Sequence, residues 1–167
     1  MKTILIISLL IISIPAISQC DILNHLLPDG TMYYYMEPTV FYWTKKKELR
    51  GGIVTDKENY FIALQPIPFP EKPKGRKLNA DLELKLSNNN IYRLKHFDTQ
   101  YMDKDTIMQL LYIIEERDVK DLMSYEAIEA KIDMKGEEGI RTYTFKLHKN
   151  AIQQQLDCFL KEKTEKN

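Results

Sequence analysis

The chain has 167 residues, and its 24 Lys and Arg residues balance 24 Asp and Glu residues, so the formal net charge is zero. Such a balance argues against nucleic acid or an anionic membrane surface as the main partner, because both select basic proteins. The basic runs at 45–47 and 72–77 are short and fall in predicted turns, where we expect solvated loops.

Residues 1–18 have the pattern of an export signal. A basic start is followed by an apolar run too short to span a membrane, and Ala16 and Ser18 are the small residues expected before cleavage at Gln19. The sequence therefore predicts a signal peptide over 1–18 and one domain over 19–167, with no transmembrane span after cleavage. We expect the mature protein to be periplasmic or extracellular, in a bacterium with a Gram-negative envelope.

Both cysteines, Cys20 and Cys158, remain after cleavage before Gln19. In an exported protein an even number of cysteines predicts a disulfide, which here would tie the new N terminus to a C-terminal helix. A lipid anchor on Cys20 is the disfavoured alternative, because it needs cleavage directly before the cysteine and Gln19 is a poor residue at that position. These two fates of Cys20 exclude each other, and we expect a monomer.

Aromatic residues crowd the segments 32–35 and 40–43, which have strong β propensity and are separated by Pro38. The favoured interpretation is a pair of strands with one face in the core, because alternate residues of a strand point to opposite faces. The alternative is a binding surface, since Tyr and Trp side chains can stack on sugars or peptides. The candidate residues for that surface are Tyr33, Tyr35, Tyr42 and Trp43.

Glycines and prolines divide the next part of the chain. Gly51 and Gly52 predict a bend, and short strands are expected at 53–54 and 60–64. Several prolines then follow within a few residues, which predicts an extended, proline-rich loop over 65–77. A surface linker inside the domain is the favoured role of that loop, and a recognition loop is the alternative.

The second half of the chain opens with the clearest local pattern, a hairpin of strands 81–87 and 92–96 joined by three asparagines. Residues 106–125 allow two interpretations. We favour a buried strand over 108–114 followed by a short helix over 115–124, because the apolar run breaks at two glutamates that suit a first helical turn. One continuous helix is the alternative.

The C-terminal third predicts a strand over 128–134, a turn, a strand over 142–147 and a helix after Asn150. The strand ending Tyr143-Thr-Phe-Lys-Leu147 and the helix with Leu156-Asp-Cys158 resemble small exported proteins of uncharacterised function from Bacteroidetes-type bacteria. The resemblance covers the elements of 81–160, and it implies no known activity.

Common catalytic motifs are missing from the sequence. His96 and Asp98 form an H-x-D pair that strand alternation would place on one face, where the pair could bind a metal or act as a base with its orienting carboxylate. No third ligand has a characteristic spacing, so a solvated or core-edge histidine is favoured. A nucleophile pair of Cys158 and His148 is excluded if Cys158 is in a disulfide. The sequence therefore predicts no catalytic, cofactor-binding or metal-binding residue.

These patterns predict an α+β fold, mainly an antiparallel sheet of about six to eight strands with two or three helices packed on one face. The expected function is an exported, non-enzymatic binding or structural module of the cell envelope, whose partner is a protein or an envelope glycan. One alternative is an envelope hydrolase or metal-dependent enzyme that uses His96 and Asp98. Another is a periplasmic inhibitor or immunity-type protein with the aromatic segment or the proline-rich loop as its contact surface.

Overall fold

Strands dominate the computed structural model, which describes residues 20–69, 80–134 and 139–165. The predicted signal peptide and most of the proline-rich loop lie outside these residues. The α+β class is confirmed, with more strands than expected and, in the described ranges, two helices. In chain order the elements are β1 (Leu23–Leu26), β2 (Met32–Tyr35), β3 (Thr39–Trp43), β4 (Glu48–Thr55), β5 (Tyr60–Ile67), β6 (Leu82–Leu86), β7 (Ile91–Leu94), β8 (His96–Met102), β9 (Ile107–Ile114), α1 (Glu116–Ser124), β10 (Ala127–Asp133), β11 (Ile140–Thr144) and α2 (Ala151–Glu165).

The strands form two sheets, and neighbouring strands in both are antiparallel. The first sheet has seven strands in the order β1-β2-β4-β5-β9-β8, with β3 paired to the other end of β4. The second sheet has four strands in the order β11-β10-β6-β7. A division into two sheets was not predicted, because alternation along one strand does not show which other strands it pairs with.

Buried side chains from both sheets and both helices form one hydrophobic core. Phe41 of β3 stacks on Phe145 beyond β11, with ring centroids 4.5 Å apart. The opposite face of the first sheet carries a second, smaller cluster, because successive residues of a strand point to opposite faces. Ile62 and Leu64 of β5 therefore lie in the core, whereas Phe61 lies in the second cluster. The members of that second cluster are Tyr33, Val54, Phe61, Ala63 and Leu111.

Two local predictions in the second half are confirmed. The predicted hairpin forms as β6 and β7, and Asn89 in its turn has a φ of 69°. The strand followed by a helix is observed as β9 and α1, so the alternative of one continuous helix is wrong. The return strand nevertheless ends at Leu94, and His96 starts β8 in the other sheet. The chain therefore crosses between the sheets at Lys95.

Three predictions in the first half are wrong. The two aromatic segments do not pair with each other, because β2 and β3 both pair with β4. Gly51 and Gly52 do not bend the chain and lie inside the continuous strand β4. The strand β5 runs through Pro66, so the loop expected from residue 65 starts later. Pairing of β5 with β9 stops at Leu64, and Pro66 is tolerated because the strand there has a neighbour on one side only.

The edge of β4 has a gap between its pairings with β2 and β3, and α2 fills that gap. The side-chain carbonyl of Gln155 accepts a hydrogen bond from the backbone N–H of Ile53 at 2.6 Å. Its amide nitrogen donates to the hydroxyl of Thr39 at 3.4 Å. A Cβ atom at residue 52 would overlap the Gln155 carbonyl oxygen. A glycine at this position therefore allows Gln155 of the helix to accept the hydrogen bond from the backbone N–H of Ile53.

A disulfide joins Cys20 to Cys158 on α2, as predicted, with Cα atoms 5.7 Å apart. Because the sulfur of Cys20 is bonded, it is not available for a lipid thioether in this form. The sulfur of Cys158 is likewise not available as a nucleophile beside His148. The N-terminal segment is therefore held to the last helix at one end, and through β1 to the edge of the first sheet at the other.

Reduction of the disulfide is expected to lower the free energy of unfolding, because the bond joins residues separated by 138 positions. In the chain-entropy model a loop of this length contributes about 4–5 kcal/mol, and measured bridges often give less. Cys20→Ser and Cys158→Ser should cost similar amounts, and the double variant no more than either alone. Urea unfolding with and without a reductant measures these values. Additive losses, or a wild-type protein that is insensitive to reduction, would contradict the prediction.

Gly52→Ala is expected to lower the free energy of unfolding by about 1–3 kcal/mol, because the added methyl group displaces Gln155 and leaves the Ile53 N–H buried without its partner. The effect should be non-additive with Gln155→Ala, which removes the same hydrogen bond. Chemical unfolding of the two single variants and the double variant measures the coupling. Independent, additive costs would show that Gly52 is needed for another reason.

Candidate functional site

The first sheet encloses a cavity on the face that points away from the core. Its two edges, β1 and β8, contribute His25 and Asp98 to the same cavity, so the sheet curls around it. The cavity has a volume of about 930 Å³. This value lies within the range of roughly 300–1,000 Å³ that is usual for small-molecule sites.

The second hydrophobic cluster forms the apolar part of the cavity. Val54, Ala63 and Tyr33 line it directly. Tyr33 packs edge-on against Phe61, with ring centroids 6.0 Å apart, and Phe61 in turn packs against Phe97 at 4.7 Å. An apolar surface supported by packed aromatic rings is a rigid base against which a ligand can pack.

A row of glutamine side chains crosses the cavity beside this apolar part. Gln65 of β5, Gln109 of β9 and Gln100 of β8 lie on neighbouring strands, and we call these three residues the amide row. Gln65 donates to Gln109 at 2.9 Å, and Gln109 donates to Gln100 at 3.4 Å. Only 7% of Gln65 and 9% of Gln109 is exposed. Hydrogen bonding within the row therefore offsets part of the cost of burying these amides.

The amide row keeps hydrogen-bonding capacity in reserve. A glutamine amide has two N–H donors and one carbonyl acceptor. The two hydrogen bonds of the row use one donor each from Gln65 and Gln109, and the carbonyls of Gln109 and Gln100. The carbonyl of Gln65 receives no hydrogen bond from the residues that the structure describes. Within the described residues, the row therefore has unused donors and one carbonyl that accepts no hydrogen bond, and all three side chains line the cavity.

Among the described residues that line the cavity, carboxylates outnumber basic side chains. Arg50, opposite Gln65 in the strand pairing, is its one arginine in the described residues, and the guanidinium donates to Glu48. Burial, and after it the carboxylates of Asp56, Asp98 and Asp29, raise the pKa of Tyr33 above its ordinary value. The cavity is therefore a poor site for an anionic ligand. The carboxylates that line it are Asp29, Glu37, Asp98 and Asp103.

The predicted aromatic surface is divided between two environments. Tyr33 and Tyr35 line the cavity. Tyr42 instead packs against Tyr143 of the second sheet, with ring centroids 5.6 Å apart. Trp43 is 61% exposed at the end of β3. The four residues therefore do not form one surface, because each strand turns alternate residues to opposite faces of the sheet.

The predicted pair of His96 and Asp98 is separated by a β-bulge in β8. His96 lies opposite Tyr112, which is in the core. The His96 ring forms a hydrogen bond with the Thr99 hydroxyl at 2.9 Å. Asp98 lies opposite Leu111 and lines the cavity. The bulge adds a residue to the strand and breaks the alternation that would have kept both side chains on one face. Within the described ranges, no three His, Cys, Asp or Glu residues are arranged to hold a metal ion.

The amide row was not predicted from the sequence. Gln65 was assigned to a loop, and Gln109 stands inside an apolar run, where it was given no role. The available signal was Gln109 itself, since a strand buried on both faces rarely carries a polar residue without a partner. The partners were not visible, because they depend on the register between β5, β9 and β8.

Comparisons with known proteins point to no function for this chain, so a functional proposal has to rest on the cavity. No protein-family model, no curated protein and no solved structure matches this chain. The resemblance to exported proteins of Bacteroidetes-type bacteria therefore stays a prediction. Neither helix in the described ranges has the length and apolar character needed to cross a bilayer.

Tyr33→Phe is expected to make the stability less sensitive to alkaline pH. The folded-state pKa of Tyr33 is raised above the ordinary value of 10.0, so its contribution is present below pH 10 and is lost as the pH rises through the folded-state pKa. The variant lacks this titration, and its free energy of unfolding should fall less between about pH 9 and pH 11. Residual sensitivity should remain, because burial also raises the pKa of Tyr60.

Urea unfolding at several pH values measures the difference between the two proteins. Parallel loss of stability in the wild type and in Tyr33→Phe would show that Tyr33 does not titrate differently in the folded and unfolded states. In that case, a direct spectroscopic titration of the phenol groups should show that the one group missing from the variant titrates in the ordinary pH range.

Proposed function

We propose that this protein is an exported binding module of the cell envelope and that it holds a small ligand in the cavity of the first sheet. The observation that carries the proposal is the amide row, buried in a cavity of about 930 Å³ beside an apolar base. A ligand site commonly combines such an apolar surface with a few polar groups that fix orientation.

The amide row is difficult to explain as a packing feature. Apolar side chains at Gln65 and Gln109 would close this part of the sheet without the cost of burying amides. Instead, Gln65 lines the cavity, and its carbonyl accepts no hydrogen bond from the described residues. Polar groups retained against stability are expected where they serve function.

Binding without a chemical step fits the groups that the cavity contains. Asp98 lines it, but His96 lies opposite Tyr112 of the core, so the register assigns the proposed base and its orienting carboxylate to different faces of the sheet. Cys158 is in the disulfide and away from the lining residues. An enzyme that uses His96 together with Asp98 is therefore not supported by this geometry.

Two features support the exported location. The N-terminal pattern over 1–18 is typical of a signal peptide. The bond between Cys20 and Cys158 is typical of oxidising compartments such as the periplasm.

A protein-contact role is the second candidate, and it has its own observation. Trp43 is 61% exposed, and Ile67, which pairs with the same residue of β4, is 39% exposed. Exposed apolar side chains on either side of Glu48 suit an inhibitor or immunity-type contact. This surface lies outside the cavity, so the two functions can be separated by substitution.

Nile red, an uncharged dye that fluoresces strongly away from water, is expected to bind in the cavity. Ala63→Phe places a ring on the apolar base and should abolish binding. Tyr35→Ala removes part of the wall and should weaken binding about tenfold, which corresponds to about 1.4 kcal/mol. Fluorescence titration of the folded wild type and variants, with circular dichroism to verify folding, measures these effects.

Trp43→Ala is the matched control, because it also removes an aromatic side chain but lies outside the cavity. Its affinity for the dye should equal that of the wild type. Loss of dye binding in Trp43→Ala with no change in Ala63→Phe would place the site at the end of β3 and favour the protein-contact role. Absence of dye binding to the wild type would count against the cavity as a ligand site.

A further inference from the structure

The amide row sets one requirement on the ligand. Four of the six N–H groups of its three amides are unused in the row, and they are carried by strands about 4.8 Å apart. A ligand that covers the row must therefore present several acceptor oxygens at comparable spacing. A purely apolar ligand would leave the donors of Gln65 and Gln109 buried without partners, which is costly.

Asp98 sets a second requirement. It precedes Gln100 by two residues on the same face of β8, and both line the cavity. Two residues along a strand correspond to about 7 Å. A ligand of modest size therefore meets donors at the row and a carboxylate acceptor at Asp98. Hydroxyl groups meet both requirements, because each one can donate and accept.

The charges of the cavity exclude one large class of ligand. Asp29 and Asp98 both line the cavity, and the charge of Arg50 is offset in part by its ion pair with Glu48. A carboxylate or phosphate group would be repelled. A simple alkyl ammonium ion suits the carboxylates but offers no acceptor to the N–H donors of the amide row.

The apolar lining of the cavity sets a third requirement on the ligand. Tyr33 and Tyr35 present ring surfaces to the cavity, and Val54 and Ala63 lie beside them. The C–H face of a sugar ring packs against such surfaces while its hydroxyls point to polar groups at the edge. Acceptor oxygens, hydroxyl donors, an apolar face and the absence of acid groups therefore occur together in a saccharide.

We propose that the ligand of the cavity is a short saccharide of two or three units that is uncharged or carries amino groups. This inference rests on the proposed binding function and specifies its substrate class. The N–H groups of the amide row donate to hydroxyl and ring oxygens, Asp98 accepts hydrogen bonds from hydroxyl groups, and the aromatic wall packs against the sugar face.

The test compares three trisaccharides of similar size by NMR titration of the isotope-labelled, disulfide-bonded protein. The probes are the N-acetylglucosamine trimer, which is neutral, the glucosamine trimer, which is cationic, and the galacturonic acid trimer, which is anionic. We expect at least one of the first two to bind and to shift the amide signals of β5, β8 and β9. The anionic trimer should bind at least tenfold more weakly.

Gln109→Leu removes the centre of the amide row and is expected to weaken saccharide binding at least tenfold, because a site built to hydrogen-bond its substrate depends on those groups. Gln100→Leu, at a half-buried position on β8, is a milder variant that keeps the test informative if Gln109→Leu does not fold. Gln154→Leu makes the same change on the exposed side of α2 and should bind like the wild type.

Three outcomes would overturn the saccharide assignment. The first is binding of the anionic trimer as tight as that of the other two. The second is unchanged saccharide affinity in both Gln109→Leu and Gln100→Leu. The third is Nile red binding in the cavity with no signal shift from any trimer, or with shifts from a trilysine peptide alone. That third outcome keeps the proposed binding function, whereas loss of both dye and saccharide binding removes the function as well.

Discussion

The central strands of the first sheet, β4, β5 and β9, are buried on both faces along most of their length, and most of the structure depends on that constraint. Alternation in β5 sends Ile62 and Leu64 to the core and Phe61 and Ala63 to the second cluster. A one-residue shift in the pairing of β5 with its neighbours would exchange these two sets. The same register that fixes the core therefore also places Gln65 beside Gln109 and creates the amide row.

The gap in the edge of β4 affects both the stability of the sheet and the wall of the cavity. The residues that connect β2 to β3 leave the strand there and contribute Met36, Glu37 and Pro38 to the cavity wall. The backbone of β4 then lacks partners, and Gln155 of α2 supplies one. Cys158 lies one turn further along the same helix and ties it to the N terminus. Two contacts therefore hold the last helix in place, the hydrogen bonding of Gln155 to β4 and β3 and the disulfide of Cys158. We expect these contacts also to stabilise the adjacent cavity wall.

Local patterns predicted what depends on neighbouring residues, and they failed where distant segments decide. The hairpin of β6 and β7 and the strand and helix at β9 and α1 follow from alternation and breaks in apolar runs. The Cys20–Cys158 bond is the exception, a long-range contact that could be predicted because the chain has two cysteines. The crossing at Lys95 could not be predicted, because the alternation continues through it. The amide row and the cavity need the pairing of β5, β9 and β8, which no short segment encodes.

The bulge in β8 shows how one irregularity determines the site. With regular alternation, His96 and Asp98 would share a face, and the position of Tyr112 opposite His96 would bring Asp98 to the core side. An unpaired carboxylate there would be strongly destabilising. The extra residue turns Asp98 to the cavity, leaves His96 beside Thr99 and places Phe97 against Phe61. The H-x-D pattern that suggested a metal site or a catalytic pair therefore has a different result: Asp98 lines the cavity, and His96 lies at the edge of the core.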